Sequence, residues 1–386
     1  MANEFYALMG RMRYITRWGL MRNTFSENIQ EHSHQVAVLA HALALIRREL
    51  DSMGIPYTEE YGKSSIVAFI NPDCTDFSIG LRADTDALPL TEKTGLPYAS
   101  QHPGIMHACG HDMHAAVLFG VLQGFARNRD FEGTLFGIFQ PGEELNPGGA
   151  IKVLEENPFE GYDVSAVIGE HTDSRLEVGE IGICPGRFMA SNDELRYYVR
   201  GRGGHAARRN EIDDSVTAMA EMVMRTTAMN TPSCVLSIGR VIAEGATNVI
   251  PPIVSSEGTM RTFDKDERER IHSLLRAAGR EVENKYGVTV GVDINHGYPC
   301  VVNDVMLSYE AMIVATDEGV TVKELQPMTA AEDFGHYTER YPSLFYRLGV
   351  GKAAGGSHTA TFLPDEGAIA VGERVMRRLA LHILNK

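Results

Sequence analysis

The stretch His107-Ala-Cys109-Gly-His111-Asp-Met-His114 places three histidines, one cysteine and one aspartate within eight residues. A Pro-Gly pair precedes it, and apolar residues at helical spacing follow over 115–125. This pattern predicts a turn that leads into a helix. Cys109 and His111 are alternate residues, so in an extended turn both side chains can face one ion, and thiolate and imidazole are good zinc ligands. The alternative is a histidine-rich loop with one buried thiol. Five ionisable groups beside a glycine favour the metal site.

Composition limits the class of protein. The chain has 386 residues, which predicts two domains, and its formal charge of −15 argues against nucleic acid or an anionic membrane as a partner. Five widely spaced cysteines do not suggest a disulfide framework. We recognise no secretory leader at residues 1–5 and no uninterrupted apolar run of membrane-spanning length. We therefore expect a cytoplasmic protein with no membrane or nucleic-acid partner.

Three predicted strands each run into a turn rich in acidic residues or histidine. The strands are Phe77–Leu81, Thr134–Phe139 and Val164–Ile168, preceded by a fourth at Ser65–Ile70. The turns after the three strands cover 82–89, 140–144 and 169–173. Strands that alternate with helices predict an α/β sheet, and ligands of such sheets bind beyond the carboxyl ends of the strands.

The pattern changes near residue 183. Over 183–299 it reads strand, helix, strand, strand, helix, strand, which is typical of an α+β sandwich. The predicted elements are Glu194–Arg200, helix Asp214–Thr227, Val235–Val241, Ile253–Phe263, helix Asp264–Lys285 and Val288–Ile294. We expect an inserted domain here, with residues 47–182 and 300–386 forming the catalytic domain. Residues 300–386 contain a predicted helix over 304–317, a strand over 344–348 and a helix over 366–384.

The sequence contains more potential metal ligands than one ion binds. They are Cys109, His111, Glu144, His171 and His358, and they fall on four predicted loops. Five ligands exceed one tetrahedral shell and suit two ions that share a bridging group, about 3.5–4 Å apart.

Further polar residues suggest catalytic roles. Glu143 and Glu144 are adjacent, so one can bind metal while the other acts as general base; a solvated acidic turn is the alternative. His205, in a Gly-Gly-His loop, can stabilise an oxyanion or belong to a plain flexible loop. Arg261 can hold a substrate carboxylate or lie on a surface strand, and Asn248 precedes a Val-Ile-Pro-Pro run.

Taken in order, eight motifs resemble the M20 metallopeptidase superfamily, in its branch of hippurate, N-acyl-amino-acid and indole-acetyl-amino-acid hydrolases. They are Arg-Ala-Asp-Thr-Asp-Ala-Leu-Pro (82–89), His-Ala-Cys-Gly-His-Asp-Met-His (107–114), Gln-Pro-Gly-Glu-Glu (140–144), Gly-Glu-His-Thr (169–172), Gly-Gly-His-Ala-Ala (203–207), Asn-Val-Ile-Pro (248–251), Gly-Thr-Met-Arg (258–261) and Ala-Glu-Asp-Phe (331–334). The resemblance implies an α/β, di-metal aminoacylase-like catalytic domain with an inserted α+β sandwich that acts as lid or dimerisation domain.

The resemblance also implies roles for single residues. Cys109 would bridge two ions, and Glu143 would be the base. His205 would reach the active site of a neighbouring subunit. The remaining roles are metal ligation by His111, Glu144, His171 and His358, substrate contact by Asn248 and Arg261, and a place under the metal site for Asp84 and Asp86.

Residues 1–46 resemble a different family, the HD-domain 5'-deoxynucleotidases. In that family Arg17, Trp18 and His32 would be functional, with His32 a metal ligand. The fold also needs a His-Asp pair, and the one in this sequence, His111-Asp112, belongs to the other motif set. We therefore expect residues 1–46 to be an atypical helical segment that packs on the catalytic domain without nucleotidase activity.

These observations predict an enzyme that hydrolyses the amide bond of N-acyl amino acids or related conjugates. It would use two divalent ions, zinc or manganese, with cobalt and nickel also compatible. We expect a homodimer formed through the inserted domain. The alternatives are an HD-type nucleotide phosphohydrolase and an inactive chimeric metal-binding scaffold.

Overall fold

An eight-stranded mixed sheet organises the larger part of the chain in the computed structural model, which describes residues 43–62 and 64–385. The HD-like positions Arg17, Trp18 and His32 lie outside the described residues. The strands of the described residues, in this sheet and outside it, are β1 (Tyr57–Thr58), β2 (Ile66–Ile70), β3 (Ser78–Asp84), β4 (Thr134–Gln140), β5 (Val164–Asp173), β6 (Glu180–Ile183), β7 (Gly186–Met189), β8 (Asp193–Arg200), β9 (Gly204–His205), β10 (Cys234–Ala243), β11 (Val249–Ile250), β12 (Ile253–Thr262), β13 (Thr289–His296), β14 (Val301–Asn303), β15 (Thr321–Glu324) and β16 (Ser343–Gly349).

The helices are α1 (described over 43–53), α2 (His111–Arg127), α3 (Gly149–Glu155), α4 (Ser215–Thr227), α5 (Lys265–Tyr286), α6 (Val305–Asp317), α7 (Gly335–Thr338) and α8 (Gly367–Leu384), with a 3₁₀ turn at Lys352–Ala354. All of them except α4 and α5, which pack on a second sheet, flank the eight-stranded sheet. No helix within 43–62 and 64–385 combines the length and the apolarity needed to cross a bilayer.

The strand order of the large sheet is β1-β2-β4-β3-β5-β16-β6-β15. Its centre, β4-β3-β5-β16, is parallel, so four carboxyl ends meet at one edge. β2 pairs antiparallel with β4, and β6 antiparallel with β16. The sequence therefore predicted the α/β class correctly, and the structure adds antiparallel neighbours on both sides of the parallel centre.

Side chains alternate between the two faces of the sheet and build two apolar clusters. On β4, Leu135 and Phe139 pack into the cluster beneath α2 and α8, whereas Phe136 and Ile138 face the cluster beside α3 and α7. The end of the nucleotidase-like segment takes part in this core. Ile46 and Leu50 of α1 and the nearby Ile55 are all buried in the first cluster. Each fully buried Leu or Ile contributes on the order of 2 kcal/mol through loss of contact with water.

A separate antiparallel sheet of order β10-β12-β8-β13 lies within residues 193–296. Along β8, residues alternate between buried and partly exposed positions, and Leu195, Tyr197 and Val199 pack against α4 and α5 in a third cluster. Asp214 and Asp264 cap these two helices by accepting from the backbone N–H groups of Thr217 and Glu267.

Two sequence predictions about the metal-binding stretch need correction. His111 opens α2 and His114 lies in its first turn, so only the first part of the motif is a turn. The run Gly169–Asp173, predicted as a turn, continues strand β5. It stays extended because β16 pairs with it residue by residue as far as Asp173. His171 and Asp173 therefore occupy fixed strand positions instead of loop positions.

Candidate active site

The parallel strands bring four polar segments to one edge of the sheet. β3 ends at Asp84 with Asp86 just beyond it, and β4 is followed by Glu143 and Glu144. β5 carries His171 near its carboxyl end, and the segment after β16 carries His358. The sheet brings together residues that are far apart in the chain: Cys109 and His358 are 249 residues apart and are in contact.

Cys109 and His111 are oriented by the glycine between them. Gly110 adopts a left-handed conformation with φ 89°, which favours glycine over other residues. A Cβ at this position would lie 2.7 Å from the side-chain oxygen of Thr172, so the turn also packs tightly against β5. The Thr172 hydroxyl donates to the Cys109 carbonyl at 2.8 Å. The sharp turn thus places the thiol in front of β5 while α2 starts at His111.

Two groups of candidate ligands share the Cys109 sulfur. One comprises Cys109, His111 and His171, and the other comprises Cys109, Glu144 and His358; in each, the ligand atoms lie within 4.8 Å of one another. The Cys109 Sγ is 3.3 Å from His171 Nε2 and 3.3 Å from His358 Nε2. His358 Nε2 lies 3.1 Å from Glu144 Oε1. All five predicted ligands are therefore brought together around one thiol.

The five residues fit a pair of divalent cations. The His111 Nε2 atom is buried and has no hydrogen-bond partner among the described residues, as a lone pair reserved for a metal requires. Burial and the charge of Arg347 lower the pKa of His171 well below its usual range, so this imidazole is neutral. Hydrogen bonds to Cys109 and Glu144 raise the pKa of His358 to about 10, so the space between these three groups favours positive charge. Sulfur, nitrogen and carboxylate oxygen together suit zinc and similar ions.

Asp84 and Asp86, for which the resemblance implied a place under the metal site, lie next to these ligands. The His111 Nδ1 is 3.0 Å from the carbonyl of Asp86 and 3.4 Å from its carboxylate. The Asp86 carboxylate also accepts the backbone N–H groups of Glu143 at 3.1 Å and Glu144 at 2.9 Å. Asp86 thereby fixes two different ligand segments relative to each other, a role that outer carboxylates commonly have around metals.

His114 is the histidine of the motif that has no free nitrogen. Its Nδ1–H donates to Asp84, and its Nε2 accepts the backbone N–H of Thr172 at 2.9 Å. Burial lowers the pKa of His114, with Asp84 opposing that effect, and this agrees with a neutral ring. His114 therefore braces α2 against β3 and β5 and is not a candidate ligand.

A buried charge cluster below the site was missed by the sequence analysis. The Arg82 guanidinium contacts Asp84 at 2.9 Å, Asp333 at 2.6 Å and Glu332 at 3.2 Å. Burial and the charges of Glu332 and Asp333 raise the pKa of Glu143 well above its usual range. Carboxylates outnumber the single guanidinium here, and such a surplus attracts cations. The motifs at 82–89 and 331–334 were the available signals, but Arg82 was assigned to a turn, whereas β3 continues through Arg82 to Asp84, and only folding pairs Arg82 with the second motif.

An open cleft of about 770 Å³ lies over the ligand residues. Cys109, Glu143 and Arg261 line it together with Asn192 and Arg347. Arg261 Nη1 donates to Asn192 Oδ1 at 2.7 Å, which orients its guanidinium at the cleft wall. Arg261 therefore lies at the cleft wall, and its contact with substrate stays a prediction.

Arg347 is a second guanidinium in the cleft that the sequence analysis missed. It is buried on β16 and stacks at 5.8 Å from the ring centre of Phe188 and 5.7 Å from that of Phe345. Within residues 43–62 and 64–385, no carboxylate lies within 4.0 Å of its nitrogens, and its Nε has no hydrogen-bond partner. Glu332 and Asp173 act on it only from beyond that distance, and burial lowers its pKa, so this arginine has capacity for an anion.

His205 and Asn248 do not line the cleft of this chain. They lie together on the two-stranded ribbon β9–β11, where His205 pairs with Val249 and the Ala206 N–H donates to the Asn248 carbonyl at 2.9 Å. Both side chains are exposed. The structure thus divides the predicted residues into a group gathered at the cleft and a pair presented to solvent elsewhere.

Comparisons with known proteins match most of the chain to one family and its first part to another. A family model described as "Peptidase family M20/M25/M40" matches residues 80–382, and one described as "5'-deoxynucleotidase YfbR-like" matches residues 4–59. The chain is 33% identical to N-acetyl-L-cysteine deacetylase of Bacillus subtilis (strain 168), over 92% of this chain and 88% of that protein. It is 35% identical to N-acetyldiaminopimelate deacetylase of Shouchella clausii, over 77% and 80%. A solved structure, described as a dinuclear metal-binding peptidase from the M20 family of B. subtilis, has 30% identity and a TM-score of 0.79 and covers 99% of each chain.

Proposed function

This chain belongs to peptidase family M20/M25/M40, and on that basis we propose that it hydrolyses the amide bond of N-acyl amino acids with the aid of two divalent metal ions. One observation carries the proposal: two groups of ligand atoms share the Cys109 sulfur at the carboxyl edge of a parallel sheet. Relatives named as deacetylases of N-acetylated amino acids support the amide bond as the target.

We assign Cys109 as the shared ligand, with His111 and His171 on one side and Glu144 and His358 on the other. Zinc or manganese fits this donor set, and cobalt and nickel are also compatible. When bound, two such ions supply polarisation of the amide carbonyl and lower the pKa of a water molecule. Asp86 holds His111 and the backbone of Glu144 in place.

Glu143 is the proposed general base and acid. Its side chain is buried, lines the cleft and is not required by either group of ligands that shares Cys109. Tyr298 donates from its hydroxyl to the Glu143 carbonyl and so fixes the backbone of this residue. A carboxyl group whose pKa is raised by burial is suited to take a proton from the attacking water and to return it to the departing amine.

Arg261 and Arg347 are the proposed anchors for substrate carboxylates. Every N-acyl amino acid carries one α-carboxylate, which a guanidinium binds with two parallel hydrogen bonds. Of the arginines that line the cleft, Arg175 is paired with Asp173, whereas Arg261 and Arg347 form no ion pair within the described residues and give capacity for a second acidic group. We therefore propose that the preferred substrates are N-acyl amino acids with an additional carboxylate, the chemistry present in the diaminopimelate derivative that one relative's name specifies.

We propose that the inserted domain, 183–299, forms a homodimer and that His205 acts in the cleft of the partner subunit. The support is geometric. In the single chain His205 and Asn248 are exposed and lie outside the cleft, although an imidazole N–H is a suitable oxyanion donor. In a symmetric dimer, the ribbon of each subunit would lie at the cleft of the other subunit.

The proposed activity is tested by measuring amine release from a panel of N-acyl amino acids. The purified chain is freed of metal and reconstituted with zinc, manganese, cobalt or nickel. We expect metal-dependent hydrolysis, fastest with N-acetyl substrates that carry two carboxylates. Phosphate release from deoxynucleoside monophosphates is measured in parallel, because residues 4–59 match a nucleotidase family. Phosphate release without amine release would overturn the proposal.

A further inference from the structure

A second cluster of metal-binding side chains lies in the inserted sheet-and-helix unit, apart from the cleft. Glu269 and His272 are on α5, and His296 is the last residue of β13. Their ligand atoms lie within 4.8 Å of one another. None of the three lines the cleft that contains Cys109. The sequence shows no sign of the cluster, because His296 is 24 positions from His272 and only pairing of β13 with β8 brings them together.

His272 is oriented and its tautomer is fixed. The ring is fully buried, and its Nε2 lies 2.9 Å from the Asp193 carboxylate, to which it donates. Asp193 is in turn bound by Arg268 through both of its oxygens. The other nitrogen, Nδ1, has no hydrogen-bond partner among the described residues and is buried. A carboxylate that fixes one imidazole nitrogen while the other carries a free lone pair is the usual arrangement behind a metal ligand.

The remaining two side chains lie on the solvent side of that lone pair. The Glu269 carboxylate, one helical turn before His272, is 3.8 Å from its Nδ1. The His296 ring lies edge-on to the His272 ring with 4.6 Å between centres. Both Glu269 and His296 are exposed, so an ion can enter from solvent and retain a water ligand. The Asp193 charge is already matched by Arg268, which leaves the Glu269 charge available to the ion.

We propose that Glu269, His272 and His296 bind one divalent cation, with zinc the best match, at a site independent of the proposed catalytic pair. Two imidazoles and one carboxylate, with water in the fourth position, form a tetrahedral zinc shell. The ion would tie α5 to the end of β13. The chain leaves this unit one residue later, through Gly297 and Tyr298, and the hydroxyl of Tyr298 reaches the Glu143 segment. The site therefore anchors the base of the inserted unit beside the cleft.

The test counts zinc ions bound to the full-length protein after dialysis against micromolar zinc, by elemental analysis per chain. The informative variant is E269Q/H296N, because both side chains are exposed and their exchange leaves the buried Asp193–Arg268–His272 group intact. The control is D266N, which makes the same change of charge at an exposed position on the same helix. A C109A variant separates this site from the proposed catalytic ions.

We expect E269Q/H296N to bind one zinc ion fewer per chain than the wild type, and D266N to bind the same number. C109A should lose the catalytic ions but keep the ion that E269Q/H296N loses, whatever its activity. Equal zinc content in the wild type and E269Q/H296N would overturn the proposal. So would loss of the same ion in D266N, since binding would then follow surface charge and not the three ligands.

Discussion

The cluster around Cys109 and the ribbon β9–β11 carry the two halves of the proposed chemistry, and they differ in almost every physical respect. Around Cys109, donors from distant segments converge within 4.8 Å, and Cys109 and His111 among them are buried. On the ribbon, His205 and Asn248 are exposed, and the Nδ1 of His205 accepts only from the N–H of Ala207 two residues away. In the proposed mechanism, the first region gathers its ligands within one chain, whereas the second acts only at the cleft of a partner subunit.

Topology explains the difference. The candidate ligands lie at or beyond the carboxyl ends of parallel strands, or in the Gly110 turn that packs against β5, so the sheet edge gathers them. The ribbon belongs to the unit with its own core of Leu195, Tyr197 and Met222, which packs without reference to the cleft. Mutations in the first region should therefore impair the active site of the same subunit, whereas mutations at His205 should impair the active site of the partner subunit.

The largest effect should come from E143Q. Glutamine keeps the size of the side chain and cannot accept a proton from water, so we expect kcat to fall by about 10³–10⁴-fold. Metal content should remain that of the wild type, since Glu143 is absent from both groups that share Cys109. Steady-state kinetics and elemental analysis of the same sample check both parts. Full activity in E143Q would remove the base assignment.

H205A should lower kcat by about 10²–10³-fold through loss of an oxyanion donor, with no change in metal content. The sharper experiment mixes E143Q and H205A chains after exchange of subunits. If His205 acts in the partner subunit, each mixed dimer has one intact site, and an equal mixture regains about one quarter of wild-type activity. If His205 acts within its own chain, the mixture stays as inactive as its parents.

D86N should weaken metal binding by about 10–100-fold, because Asp86 supports His111 and the Glu143–Glu144 backbone together. Zinc titration against a competing chelator gives the affinity. The matched control is D112N, a change at the exposed aspartate of the same motif, whose carboxylate accepts only a backbone N–H. Equal affinities for the two variants would show that Asp86 has no supporting role.

R347M should raise KM by about tenfold for substrates with a second carboxylate and much less for those with one. The control is R175M, also at the cleft, because the Arg175 guanidinium is already paired with Asp173 at 2.6 Å. Initial rates with paired mono- and dicarboxylate substrates provide the measurement. A uniform loss across both substrate types in R347M would indicate a general packing defect instead of carboxylate recognition.

Much of the catalytic region could be predicted because its chemistry leaves local signals. Asp84, Glu144 and His171 each follow or end an apolar strand, and that order is visible in the sequence. The supporting residues leave no such signal. Arg82 and Arg347 lie within apolar strands, and only folding shows that one is paired with three carboxylates while the other has none among the described residues.

The histidines of the central motif show the same limit. His111 and His114 differ in role because Asp84 and the Thr172 backbone occupy both nitrogens of His114, and neither partner is near it in sequence. The extended run at Gly169–Asp173 was missed because its polar residues resemble a turn, although pairing with β16 keeps it in the sheet.

The most direct test of the account is an anomalous difference map from crystals of the protein grown with zinc and measured at the zinc edge. At the cleft we expect two peaks about 3.5–4 Å apart on either side of the Cys109 sulfur, one beside His111 and His171 and the other beside Glu144 and His358, separate from any peak at Glu269, His272 and His296. A map without a peak within bonding distance of Cys109 would contradict the account.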